Sequence, residues 1–159
     1  MADYFSRYTI EHHEYGLVKE VFDEVVDTFF LPQFDLFASE FLHVTDNWAS
    51  FCWTKGSQTG DAFLLKEWPN RSYIFPPGPL VNEVVARLAQ QEDLEFILIA
   101  PAPSGATGSL WHPVIRSLIT REPLILGKAR LVCRLRTGRT PDLQGELAAY
   151  TRLKSSRGC

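Results

Sequence analysis

The chain has 159 residues, 45% of them apolar, with a formal net charge of −3, enough for one domain with a real core and too few for two ordinary ones. No apolar run approaches the roughly 20 residues of a membrane span, and Met1-Ala2-Asp3-Tyr4 lacks the basic-then-apolar order of a signal peptide, so an intracellular protein, cytoplasmic or nuclear, with no membrane partner is expected. Cys52, Cys133 and Cys159 are odd in number and form no CxxC or CxH spacing, which points to reduced thiols and away from a zinc site.

Val18, Phe22, Val25 and Phe29 recur at spacings of 4, 3 and 4, which predicts an amphipathic helix over 14–30, stopped by Leu31-Pro32. Phe34 to Ala38 reads as a short buried strand, and Trp48 to Trp53 as a second, aromatic one. Gly56 to Gly60 is a turn-rich loop, and Ser72 to Phe75 is a third strand ended by Pro76-Pro77-Gly78-Pro79. Leu80, Val81, Val84, Val85 and Leu88 form one helical stripe, with Pro79 suited to the first turn. Leu94 to Ala100 has Glu95 as its only charge and fits a central, buried parallel strand. Pro101 to Ser109 is a loop of small residues, Trp111 to Ile119 a short helix, and 124–126 and 129–135 are late strands. Beyond 136 apolar residues are few, although Leu147 to Tyr150 fits the start of a helix.

Strand, helix, strand, helix, strand over 72–126 is the pattern of a parallel sheet with right-handed crossovers. Ligands of such sheets bind beyond the carboxyl ends of the strands, which would set Asp35–Ser39, Phe75–Gly78 and Ala100–Ser104 along one rim. Charge is divided unevenly: residues 1–120 hold 7 basic and 16 acidic side chains, residues 121–159 hold 9 basic and 3 acidic. A basic end of this kind is either a solvated, flexible tail or a contact for phosphate backbones.

Five segments in order carry a resemblance: DLFAS at 35–39, DAF at 61–63, FPP at 75–77, ILIAP at 97–101 and LWHPVI at 110–115. Through them the run 15–135 resembles the phage-type DNA adenine methyltransferases. It resembles more closely the related segment of DIRS-type retrotransposons, which lies between ribonuclease H and a tyrosine recombinase. Ala2 to Arg7 resembles the ADxLSR segment that closes ribonuclease H domains in retroelement polyproteins. The resemblance implies a remnant of an upstream segment at 1–13, a methyltransferase-like α/β domain at 14–135 and a basic, flexible tail at 136–159. It implies a small Rossmann-like methyltransferase-type fold with a mostly parallel sheet. It also implies S-adenosylmethionine as cofactor, held by Asp35, Phe37, Ala38, Ser39, Asp61 and Phe63, and a catalytic position at Phe75, Pro76, Pro77 and Gly78. The partners it implies are DNA and the neighbouring polyprotein domains.

Methyl transfer to an exocyclic amine needs an acceptor that holds the amino hydrogens and aligns the nitrogen lone pair. The family's motif supplies an Asp or Asn, then Pro-Pro, then an aromatic that stacks on the flipped base. Here the acceptor position is Phe75 and the stacking position is Gly78, so only the first proline's carbonyl survives. Losing one preorganised polar contact typically costs about 10²–10³ in rate, and losing the ring removes a further ~1–3 kcal/mol of base binding. Two functions stay open on this basis. One is a degenerate adenine methyltransferase-like domain; the other is a non-catalytic module that binds nucleic acid or spaces polyprotein domains. His112, within LWHPVI, is accounted for equally well by a helix start or by packing.

Overall fold

The computed structural model describes residues 15–38, 42–49, 62–103 and 110–154. In chain order these form β1 (Tyr15–Leu17), α1 (Lys19–Thr28), β2 (Phe34–Asp35), β3 (Ser72–Ile74), α2 (Val81–Gln90), β4 (Phe96–Pro101), α3 (Trp111–Leu118), β5 (Leu124–Lys128), α4 (Ala129–Val132), β6 (Cys133–Leu135) and β7 (Glu146–Arg152). Single 3₁₀ turns lie at Ala62–Leu64 and Gly78–Leu80.

Five strands make one sheet in the order β2-β3-β4-β7-β5, and β1 pairs with β6 in a separate antiparallel ribbon. The neighbours β2/β3 and β3/β4 are parallel, but β7 runs antiparallel to β4 on one side and to β5 on the other. The sheet is therefore mixed, with its longer ladders antiparallel, and the mostly parallel, Rossmann-like sheet expected from the sequence is not formed. The physical reason lies in 146–152, which the sequence assigns to a flexible tail. Six of these seven residues are buried, and the strand fills the gap between β4 and β5. The folded core thus extends past residue 135 to Arg152.

Alternation along the strands divides the core. Ile74, Leu98, Ala100, Ala148 and Tyr150 pack under α2 and α3, against Val84, Val85, Leu88, Trp111 and Ile115. Tyr73, Phe75, Ile97, Ile99, Leu147 and Ala149 pack on the other side, against Val25, Phe29 and Phe30 of the α1 region and Ala129, Val132 and Cys133. β4 supplies both clusters and is buried from Phe96 to Ala100, as its apolar run predicts. Each fully buried aliphatic or aromatic side chain contributes about 1.5–3 kcal/mol, so this double-faced burial outweighs local propensity where the two conflict.

Two such conflicts appear. The helix expected over 14–30 begins only at Lys19, because Tyr15–Leu17 splits off to pair with Leu135–Cys133, and the Val18 amide is held by the Val132 carbonyl at 2.8 Å. Gly16 within that stretch weakens any helix through it. The strand expected over 129–135 is instead one helical turn followed by β6. A register shift between Ile125 and Gly127, with Gly127 at φ +116°, turns the chain there, a conformation glycine reaches without steric cost.

The amino ends of β3 and β4 are closed by polar contacts. The Glu95 carboxylate accepts from Asn70 Nδ2 (3.0 Å), Arg71 Nε (3.3 Å) and the Lys154 amide (2.9 Å), while the Glu95 amide donates to Asn70 Oδ1 at 2.7 Å. Arg152 donates to the carbonyls of Leu94 (2.8 Å) and Gln91 (2.7 Å). Among the described residues no helix is long and apolar enough to cross a membrane.

Candidate functional site

β2 and β3 run side by side with Asp35 opposite Tyr73, so the segments that follow them, Leu36–Ala38 and Phe75–Gly78, leave the sheet at the same end. The rim deduced for Asp35 and the Pro-Pro segment therefore exists. Two small hollows open along it. One, of about 140 Å³, is bordered by Asp35, Phe37, His43, Tyr73, Phe75 and Tyr15. The other, of about 130 Å³, is bordered by Phe75, Pro76, Gly78, Pro101, Gln144 and again Tyr15. The rings of Tyr15 and Phe75 meet edge to face at 5.5 Å and form the wall common to both.

Asp35 is 4% exposed. Its carboxylate accepts the amide of Val44 at 2.9 Å and that of Phe37, so it ties residues 42–49 to the strand end. The same loop is stitched on by backbone bonds from Ala38 to Ala49, from Ala49 to Asp35 and from Asp35 to Asn47. His43 stacks on Trp48 at 5.0 Å. Of the aromatic strand expected at 48–53, Trp48 forms only an isolated parallel bridge with Asp35, and 50–53 lie outside the described residues. Burial pushes the Asp35 carboxyl up to about 7, and the two amides oppose that rise. Burial, with Asp35 and Cys133 beside it, raises the Tyr73 phenol well above its ordinary value. Burial with Cys133 beside it takes Tyr15 up to about 12, and burial takes the Cys133 thiol up to about 12. Tyr15, Tyr73 and Cys133 are therefore neutral at pH 7, and Asp35, which changes charge near that pH, is the one of these four groups able to carry charge there.

Phe75, at the expected catalytic position, is 7% exposed and belongs to the core under α1. Pro76 and Pro77 are buried, and Gly78 is exposed, with open space where a Cβ would stand. Phe37 and Ala38 are buried, and Phe63 sits half-buried against Phe37 (5.5 Å) and Trp68 (6.0 Å). The Trp68 indole donates to the Ala62 carbonyl at 2.8 Å, and Arg87 lies over its ring while donating to the carbonyls of Phe63 and Leu65. The described part of 62–68 is thus held by packing, and Phe63 contributes to that packing. Ser39 and Asp61 lie outside the described residues.

The described residues do not fit S-adenosylmethionine. The acid expected to face the cofactor turns inward to its own loop's amides. The turn after β2 is filled by Leu36, Phe37 and Ala38, all buried. The two hollows are each well below the roughly 300 Å³ at which ligand pockets begin. A larger hollow, about 330 Å³, lies elsewhere, between α3 and β7 beside His112, Arg116, Pro123 and Tyr150. Size and chemistry diverge here. The larger hollow has one cation and no carboxylate in its lining, and its tyrosine hydroxyl donates to the Pro101 carbonyl at 2.6 Å. Of the expected site segments, LWHPVI and, through Pro103, the 100–104 rim segment touch it. Volume favours the larger hollow, but the perturbed buried acid and the strand-end position lie at the rim, and the rim at Asp35 remains the candidate.

Sequence reasoning missed Tyr15, hidden inside an apparent helix, and Tyr150, inside an apparent tail. For Tyr15 the available signal was an aromatic ring among polar neighbours; for Tyr150 it was the apolar run Leu147-Ala148-Ala149 before it. No protein-family model, curated protein or solved structure matches the chain.

Proposed function

We propose that the chain is a degenerate adenine-methyltransferase-like domain of a DIRS-type retroelement polyprotein, one that no longer transfers methyl groups and acts as a non-catalytic module. The observation that carries this reading is the Phe75 ring. It stands where an amine acceptor is required, and it is packed against Tyr15 and into the core under α1. A phenyl ring accepts no amino hydrogen, and a buried one leaves no room for a base. Asp35, spent on the amides of Val44 and Phe37, supports the same conclusion from the cofactor side.

The test is incubation of the chain with labelled S-adenosylmethionine and either single- or double-stranded DNA, alongside calorimetric titration of the cofactor. The expected result is neither methyl incorporation above a protein-free control nor binding heat. Robust incorporation at ordinary enzyme concentrations would return the protein to the enzyme class.

A further inference from the structure

We infer that the stretch from Lys128 to Arg139 is a docking surface for the phosphate backbone of duplex DNA. The inference goes beyond the proposed loss of catalysis and holds whether or not methyl transfer survives.

Residues 123–141 contain no Asp or Glu, yet Lys128, Arg130, Arg134, Arg136 and Arg139 all fall within them and all are exposed. Lys128 stands opposite Glu146 in the β5/β7 ladder and Arg136 is itself engaged within the fold, so Arg130, Arg134 and Arg139 carry the argument. They belong to ordered elements rather than to a loose tail. Arg130 is on α4, and Arg134 is on β6, where its Nη1 donates to the carbonyls of Cys133 (2.7 Å) and Leu131 (3.2 Å). Arg136 and Arg139 flank a tight turn: the Gly138 amide donates to Leu135, and the Leu135 amide donates to Arg139, each at 2.8 Å. Gly138 takes φ +90°, as expected of the residue that follows such a turn and forms a one-residue bulge. The arginines are thus carried on ordered backbone, and the Arg134 guanidinium is itself held by two carbonyls, which lowers the entropy it loses on engaging an anion.

Guanidinium groups match phosphate oxygens in paired, fork-like hydrogen bonds. With no acid interspersed, and with the first 120 residues strongly acidic in balance, a polyanion is steered to this end of the molecule. The stretch also holds no Phe, Tyr, Trp or His. It therefore offers no platform for stacking unpaired bases, and the fit is to a duplex backbone, held without reading sequence.

The experiment is fluorescence anisotropy of a labelled ~20-base-pair DNA of arbitrary sequence, and of one of its strands alone, titrated with the chain between about 50 and 200 mM salt. The duplex is expected to bind with log K falling against log salt at a slope of about −3, one counterion for each of Arg130, Arg134 and Arg139. Arg134→Gln with Arg139→Gln is expected to flatten the slope by about 2. Arg134→Lys with Arg139→Lys is expected to retain the slope, which separates lost charge from lost fold. Lys66→Gln with Arg116→Gln, exposed positions outside the stretch, is expected to leave binding unchanged. The inference is overturned by absence of binding at the lowest salt, by a glutamine pair that binds like the parent, or by a single strand bound more tightly than the duplex.

Discussion

At the amino ends of β3 and β4, Glu95, Asn70, Arg71 and Arg152 satisfy one another and the neighbouring backbone. At the carboxyl ends of the same strands the contacts are between rings, the one buried carboxylate serves its own loop, and two hollows remain open. One end is closed by directional bonds that specify a single arrangement. The other is closed by apolar bulk, which tolerates space. In open α/β sheets the carboxyl end is where ligands collect, and here it is the slacker of the two ends.

If this contrast is real, substitutions at the two ends differ in kind as well as size. The largest loss is expected from Glu95→Ala, which leaves the Asn70 and Arg71 side-chain donors and the Lys154 amide without their acceptor. The Arg71 side chain is 40% exposed, so water replaces part of its contact; leaving the three part-buried donors without their acceptor costs about 3–4 kcal/mol together, read as a drop in the urea midpoint. A loss below 1 kcal/mol would mean the polar end is no lock. At the rim, Asp35 makes stability depend on pH. Its carboxyl titrates near 7 when folded and near 3.8 when free. Between those values the folded chain keeps a proton that the unfolded chain has lost. This contribution is complete below pH 4, declines as pH rises and is gone above about 7, on the order of 4 kcal/mol at most. Asp35→Asn should abolish that decline. Asp93, lowered by Lys154, acts below this window and in the opposite sense.

Phe75→Ala is expected to cost about 3 kcal/mol, the lower end for a buried phenylalanine, because hollows on both sides let the surroundings collapse. A loss as large as that of a tightly packed ring would contradict the slackness of the rim. The smallest effect is expected from Gly78→Tyr. That position has open space and no positive φ, and a surface change of this kind stays within about 0.5 kcal/mol. Thermal denaturation of the variant checks it.

Much of one half of the fold was legible in the sequence. The stripe of Val81, Val84, Val85 and Leu88 became α2, and the run at 96–100 became the central strand. Both are long, and their pattern reflects the burial that forms them. Leu147-Ala148-Ala149-Tyr150 misled for the same reason. A strand buried on both faces shows no alternation, and leucine and alanine favour helices in isolation, so nothing local distinguishes it from a helix start. Asp35 was legible as a strand-end acid next to a rim. The fate of its carboxylate was not, because its partner is the backbone of Val44, nine residues on, where side-chain identity carries no signal. The 3.6-period pattern of Val18, Phe22, Val25 and Phe29 was visible, but the departure of Tyr15–Leu17 into β1 depends on a ribbon partner more than a hundred positions away.

The position of β7 sets an order on how the molecule is made. Among the described residues β5 pairs in the sheet with β7 alone, and β4 keeps an open flank until β7 arrives. During synthesis the roughly two dozen residues between the end of β5 and the end of β7 take about 1–5 s to appear. For that interval the nascent chain carries two unpaired strand edges, one of them the most apolar strand in the protein. Its exposure to chaperones and to neighbouring nascent chains is therefore decided by the arrival of β7, and a slower ribosome over 129–152 would lengthen that exposure more than a pause anywhere earlier.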